Sequence, residues 1–212
     1  MADSYREVAA SLRRAYDAMV DERERREVPP WKQEARARFL ELVQAEGRTT
    51  MLEVGAGTGV HGRFFAEAGL DVVCTDLSPA MVEACRAKGL VAHERDFLDL
   101  DLGRTFAVAF AMNCLLHVPP GDLPAALASI GAVLDPGGLM YLGQYGGIDR
   151  AGVLADDGYE PKRYFSWLTD ERLLSEVGRV FDVVDFRIVD IGGAPGMHFQ
   201  SVVLRKPSGA AS

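Results

Sequence analysis

Little in this chain points toward metals, membranes or nucleic acids. Cysteine occurs only three times in 212 residues, at 74, 85 and 114. The count is odd and no C-x-x-C spacing appears, so neither a disulfide framework nor a thiolate metal site is expected, and a reducing compartment is. Histidine is nearly as scarce. His61, His93, His117 and His198 stand far apart with no H-E-x-x-H or paired-ligand spacing, and no metal is expected. No apolar run approaches the ~20 residues of a membrane span. The opening stretch MADSYREVAASLRRAYD lacks the apolar segment of a signal peptide, so the expectation is a cytoplasmic protein that touches no membrane. Basic charge is also short: 23 Lys and Arg stand against 31 Asp and Glu, a net charge of −8. Nucleic-acid binders usually present a basic surface that displaces counterions, so no nucleic-acid partner is expected. Repeats, low-complexity tracts and dividing linkers are missing as well, which suggests one domain.

What is present suits a packed core, with 48% hydrophobic and 25% charged residues. Ser4 to about Glu27 reads as one helix, with Val8, Leu12, Ala15, Met19 and Val20 along a stripe. Its charged end offers Glu22–Arg26 and Arg23–Glu27 as i,i+4 pairs on a solvated face. Pro29-Pro30 breaks it, and WKQEARARFLELVQAEG forms a second helix closed by Gly47. The period then changes. TTMLEVG, DVVCTD, LVAHERD, FAVAFAMN and GLMYLGQY read as short strands. Between them lie the helices HGRFFAEAG, SPAMVEACRAKG and DLPAALASIGAVL, the second with Ser78 as N-cap and Pro79 in its first turn, the third stopped by DPGG. Such alternation means βαβ units and a parallel sheet. The end differs: after the helix TDERLLSEVGRV, capped by Thr169, the strands FDVVDFRIVD and HFQSVVLRKP are separated only by IGGAPGM. Seven residues cannot hold a crossover helix, so these two strands must pair antiparallel. The expectation is an α/β fold, a Rossmann-like three-layer sandwich whose seven-stranded sheet has one antiparallel strand near its edge. The segment GGIDRAGVLADDGYEPKRYFS, residues 146–166, is long for a connection, and loops of that length are usually functional.

The glycine-rich turn LEVGAGTGVHG follows the first strand, where parallel sheets bind ligands. It permits two registers. Gly57, Gly59 and Gly62 spell the dinucleotide fingerprint G-x-G-x-x-G. Glu53, Gly55, Gly57 and Gly59 spell E-x-G-x-G-x-G, with an acid in front of the loop. A pyrophosphate has no use for that acid, whereas an ammonium or sulfonium does. Asp76 closes the second strand, where a carboxylate accepts ribose hydroxyls in either reading. Asp96 and Phe97 close the third and suit the amino edge and face of adenine.

Together with LEVGAGTG, CTDLSPAMV, ERDF, NCLLHV and LDPGGLMYLG, these features give a chain that resembles the class I S-adenosylmethionine-dependent methyltransferases from about residue 31 to 207. The resemblance implies the strand order 3-2-1-4-5-7-6 with strand 7 antiparallel. It implies a helical lid over residues 1–46, a cofactor-binding core over 47–145, an insertion near the acceptor over 146–168 and a closing helix and strand pair over 169–207. It implies S-adenosylmethionine as cofactor: Gly55, Gly57 and Gly59 let backbone approach its methionine part, and Glu53 organises its amino group. Asp76 holds the ribose and Leu77 packs on adenine. Asp96 and Phe97 take the adenine edge and face, Asn113 and Cys114 face the sulfonium, and Tyr16 covers the carboxylate. His117, just past the fourth strand, is the candidate general base. Tyr145, Tyr159, Arg163, Tyr164 and His198 are candidates for the acceptor side, with Trp31 in the lid and Asp156 and Asp157 beside the acceptor's polar end. The expected reaction methylates oxygen or nitrogen of a small organic acceptor, by a monomer or homodimer. The alternatives are an NAD-dependent oxidoreductase using Gly57, Gly59 and Gly62, and a non-catalytic binder of S-adenosylmethionine.

Overall fold

The computed structural model describes residues 4–192 and 194–209. Residues 1–3 of the expected lid, Gly193 of the expected strand connection and residues 210–212 lie outside the described residues. Five parallel strands carry the sheet: β1 (Thr50–Val54), β2 (Asp71–Asp76), β3 (Val91–Glu94), β4 (Phe106–Met112) and β5 (Leu134–Gly146). A hairpin of β6 (Arg150–Val153) and β7 (Tyr164–Trp167) stands apart from it. The chain closes with β8 (Asp182–Val189) and β9 (His198–Arg205). The main sheet runs β3-β2-β1-β4-β5-β9-β8, with β9 antiparallel to both neighbours. Apart from the numbering shift that the hairpin causes, this is the expected order.

The helices are α1 (Tyr5–Asp17), α2 (Val20–Arg25), α3 (Pro30–Ala45), α4 (Val60–Glu67), α5 (Pro79–Ala87), α6 (Leu123–Ala132) and α7 (Asp170–Val177). Strand residues alternate between two core layers because side chains along a strand point to opposite faces. Leu52, Val54, Ala109 and Leu142 pack under α1, α6 and α7, while Met51, Val108, Phe110 and Tyr141 pack under α3, α4 and α5. In the second layer the Phe110 and Tyr141 rings stack at 4.9 Å and Phe39 closes on both. Each such fully buried ring contributes roughly 1.5–3 kcal/mol.

Three elements depart from the sequence reading. The N-terminal helix is two helices, broken at Ala18 and Met19. Only α1 has an apolar face to bury, through Tyr5, Val8, Ala9, Leu12 and Ala15, whereas α2 buries nothing. The Asp17 carboxylate is drawn instead to the N-terminus of α5, accepting from Ser78 Oγ at 2.5 Å and Ala80 N at 3.4 Å. Glu22 pairs with Arg26 as expected, but Arg23 turns inward and does not pair with Glu27. Secondly, DPGG does not separate helix from strand: β5 begins at Leu134 and takes these residues in across a shift of register against β4. Thirdly, the long insertion contains the β6–β7 hairpin, whose Phe165 and Trp167 rings stack at 5.3 Å. No helix among the described residues is long and apolar enough to cross a membrane.

Candidate active site

The site forms at the carboxyl ends of β1, β2 and β4, beneath a roof made by α1, α2 and β7. Its floor is the turn from β1 into α4. Gly55 and Gly57 have φ of 64° and 56°, a region costly to residues with a Cβ. A Cβ on Gly55 would also stand 2.4 Å from Cys114 Cβ, and one on Gly57 would face the Arg23 guanidinium at 3.5 Å. Gly62 serves another purpose. A Cβ there would lie 2.5 Å from Glu53 Oε2 and 2.7 Å from Cys74 Sγ, so this glycine lets α4 sit down on the sheet. Close packing of helix on strand is also the task of the third glycine in the dinucleotide fingerprint, so Gly62 by itself does not choose between the two registers.

The three acids behave differently. Asp76 ends β2 and lines the cleft, its carboxylate accepting from Gly57 N at 2.8 Å and Ser78 N at 2.9 Å. Burial raises its pKa against the pull of those amides and of Arg23. Glu53 is only 2% exposed, lies near Cys74 Sγ at 3.5 Å, and lines neither cavity described below. Burial pushes its carboxyl up to about 8. It is a support under the loop, not a group in the cleft. Asp96 lies past the end of β3 in a tight turn, where Oδ1 accepts from Leu98 N at 2.8 Å, and does not line the cleft; Phe97 does. Tyr5 packs beside Phe97 with ring centroids 6.2 Å apart.

Directly after β4 stands Asn113, the one described non-glycine residue with positive φ, at 55°. Its Oδ1 is buried without a hydrogen-bond partner, an orphaned acceptor at the mouth of the cleft. Cys114 donates its thiol to Val54 O at 3.1 Å, and burial pushes that thiol far up. A 3-10 turn over Leu115–His117 then brings His117 under the roof. Its Nδ1 lies 2.7 Å from the Tyr164 carbonyl oxygen, which only accepts, so Nδ1 carries the proton. Nε2 is then the acceptor for the Tyr16 hydroxyl at 2.7 Å. Burial pushes the imidazole down to about 3. The Tyr16 oxygen also accepts from Arg163 at 3.2 Å, and Arg163 is held by a two-pronged pair with buried Asp157 at 2.7 and 2.9 Å.

Two cavities meet at this cluster. The first, lined by Asp76, Leu77, Phe97, Gly55, Gly57 and Cys114 among others, holds only about 50 Å³. Arg23 lines it and lies over Gly57, 3.5 Å from where a Cβ on that glycine would stand. The second, about 330 Å³, is lined by Arg26, Lys32, His61, Tyr145, Arg163 and Phe165 among others. Tyr16, Arg23, Asn113 and His117 line both.

Of the expected acceptor residues, Tyr145 and Arg163 line the second cavity. Tyr159 and Tyr164 are buried in the roof, packing on Tyr16 and on Val8 with Leu12 respectively, and line neither cavity. His198 faces away and pairs with Asp170 at 2.8 Å. Trp31 packs on Phe199 at 4.5 Å and fixes the start of α3. Asp156 is exposed. Arg23 and Lys32 were not expected here. Arg23 sits in a mixed-charge run that reads as solvated; the signal that finds Lys32 is its place beside Trp31 directly after Pro-Pro, where the chain must turn back over the sheet.

Comparison with known proteins agrees with this geometry. Residues 51–138 match the methyltransferase domain family model. Two curated relatives are a malonyl-[acyl-carrier protein] O-methyltransferase of Serratia marcescens, 30% identical over 107 residues, and a glycine/sarcosine N-methyltransferase of Parasynechococcus marenigrum (strain WH8102), 33% identical over 114. Each alignment covers 49% of this chain, which spans only 41% and 40% of those two proteins. A solved structure matches far more fully: the 1,6-didemethyltoxoflavin-N1-methyltransferase of Burkholderia thailandensis, with bound 1,6-didemethyltoxoflavin and S-adenosylhomocysteine, is 25% identical at a TM-score of 0.73 over 97% of this chain and 91% of that one. By its sheet order, its glycine turn and these matches, the chain carries a methyltransferase domain over residues 51–138 and is similar along nearly its whole length to the class I S-adenosylmethionine-dependent methyltransferases.

Proposed function

We propose that the protein transfers a methyl group from S-adenosylmethionine to a small organic acceptor, at oxygen or nitrogen. The observation that carries this reading is the cleft where Asp76, the Gly55–Gly57 turn and the orphaned Asn113 Oδ1 converge at adjacent strand ends. These groups fit the donor. Asp76 accepts from the ribose hydroxyls, Leu77 and Phe97 supply an apolar slot for adenine, and Asn113 Oδ1 accepts from the ammonium. Arg23, once displaced from Gly57, answers the carboxylate. When bound, the donor supplies an electrophilic methyl on a cationic sulfur. The chain's own task is to hold an acceptor in line with that methyl and to keep water out. Tyr16, clamped between His117 and Arg163, forms the wall where the two cavities join.

His117 fits the expected role of general base poorly. Both ring nitrogens are engaged, and an imidazole pushed down to about 3 withdraws a proton only weakly. We read it as the residue that orients Tyr16. This favours acceptors that need no strong base, such as a carboxylate or an amine already neutral. The net charge of −8 weighs against a nucleic-acid acceptor, and three buried free thiols fit a reducing, cytoplasmic setting.

The test is calorimetric titration with S-adenosylmethionine, S-adenosylhomocysteine and NADH. Micromolar binding of both adenosyl compounds is expected, with none of NADH. Asp76→Ala should weaken S-adenosylhomocysteine by ~1.5–3 kcal/mol, the cost of hydrogen bonds to a charged group. Unchanged affinity in that variant would remove Asp76 from the ribose.

A further inference from the structure

The second cavity is cationic in an acidic protein. Arg23, Arg26, Lys32 and Arg163 line it, against one acid, the exposed Glu27. Most of this positive charge is already answered. Arg163 is paired with Asp157 and Arg26 with Glu22, while Arg23 donates to the Tyr159 hydroxyl and lies across Gly57 on the donor's side. Lys32 is different. Its ammonium lies 5.1 Å from the Trp31 ring and 5.3 Å from the Tyr145 ring, and no carboxylate among the described residues pairs with it. Burial and the neighbouring Arg23 charge push it down to about 8, as expected of a cation without a counter-charge. Lys32 lines the second cavity and not the first, whereas Arg23 lines both. Arg23 is therefore placed to serve the donor, and Lys32 lies on the acceptor's side.

We propose that Lys32 is an acceptor-binding residue and that the acceptor is a small molecule bearing a carboxylate, held as an ion pair between the Trp31 and Tyr145 rings. One unanswered ammonium matches one negative charge; a phosphate dianion would need a second free cation, but Arg163 and Arg26 are paired with carboxylates and Arg23 is assigned to the donor. Tyr145 ties this anchor to the chemistry, since its hydroxyl faces the Asn113 side chain at the end of β4. An acceptor gripped at Lys32 thus extends past Tyr145 toward the junction of the two cavities. The inference rests on the donor assignment made above for its direction, but not for its detection.

Trp31 offers the readout, because the chain has two tryptophans and Trp167→Phe leaves Trp31 as the only one. In that background, the S-adenosylhomocysteine-loaded protein is titrated with acetate, benzoate and malonate, each against its neutral amide, following Trp31 fluorescence. At least one acid should bind saturably and at least tenfold tighter than its amide. Lys32→Met should remove that preference, Lys32→Arg should restore it, and both should leave S-adenosylhomocysteine affinity within about twofold of the parent. Lys32→Met breaks no ion pair, so folding is not at risk, and an unchanged melting temperature checks this. Equal binding of acids and amides, no saturable acid binding, or a preference that survives in Lys32→Met overturns the proposal. So does a tenfold loss of S-adenosylhomocysteine affinity in Lys32→Met, which would assign Lys32 to the donor. If the parent protein binds no S-adenosylhomocysteine, the donor assignment fails by itself, and the same acid and amide titrations on the unloaded protein still decide the role of Lys32.

Discussion

A residue's partner, more than its type, decides its part here. Glu53, Asp76 and Asp96 all stand at or near strand ends, and the sequence offers all three as cofactor ligands. Only Asp76 faces the cleft. Glu53 points the other way because β1 alternates: Leu52 and Val54 fill one core layer, so Glu53 falls beneath Gly62 on the opposite face. That alternation is legible in the sequence; the close approach of α4 that buries the carboxyl is not. Gly62→Ala tests the arrangement, because its Cβ would collide with Glu53 Oε2 and Cys74 Sγ. Overpacking of this kind costs ~1–3 kcal/mol. The variant should therefore lose melting temperature while NADH continues not to bind. A variant as stable as the parent would mean that α4 packs less tightly than described.

Among the elements, the strands were the most readable, since short apolar runs between glycines and prolines leave few alternatives. The lid was least so. Its charged run has no apolar periodicity to fix its end, and the break after Asp17 depends on a contact sixty-one residues away, with Ser78. The β6–β7 hairpin was hidden for a related reason: its strands, RAGV and YFSW, are too short to show alternation. Asp17 pins α1 to α5 beside the nucleoside cleft, so Asp17→Ala should loosen the roof. Losing these hydrogen bonds costs ~0.5–1.5 kcal/mol. By stopped-flow fluorescence, S-adenosylhomocysteine should leave a few-fold to tenfold faster, with little change in its rate of entry. An unchanged off-rate would show that the roof is held elsewhere.

For the whole molecule, three strongly shifted buried groups, Glu53, His61 and His117, shape stability against pH. Glu53 stands near 8 when folded and near ~4.3 when unfolded, so above that lower value the unfolded chain gives up its proton first and stability falls until about 8. His117 stands near 3 when folded and ~6.5 when unfolded, so its contribution is full above the unfolded value and is lost as pH falls toward 3. His61, also pushed down to about 3 by burial, acts as His117 does, so between ~4.3 and ~6.5 the two histidines oppose Glu53, and from there to about 8 the Glu53 loss remains. Thermal melts of the ligand-free protein should therefore decline from neutral toward pH 8, and Glu53→Gln should flatten that decline. A parallel decline in both proteins would mean that Glu53 does not carry it.

The same thirteen-residue helix is wall and roof at once: α1 buries Tyr5 and Ala9 in the main core and holds Tyr16 over the cleft. The entrance thus has no door that swings independently of the frame. A roof that opened at the short joint of Ala18 and Met19 would leave α1 seated and part only the ties of α2, Glu24 to Lys88 and Arg23 to Tyr159. A single cut in that joint would leave the frame standing and the threshold unguarded, and an occupied site should shield the joint from proteases that nick the empty protein.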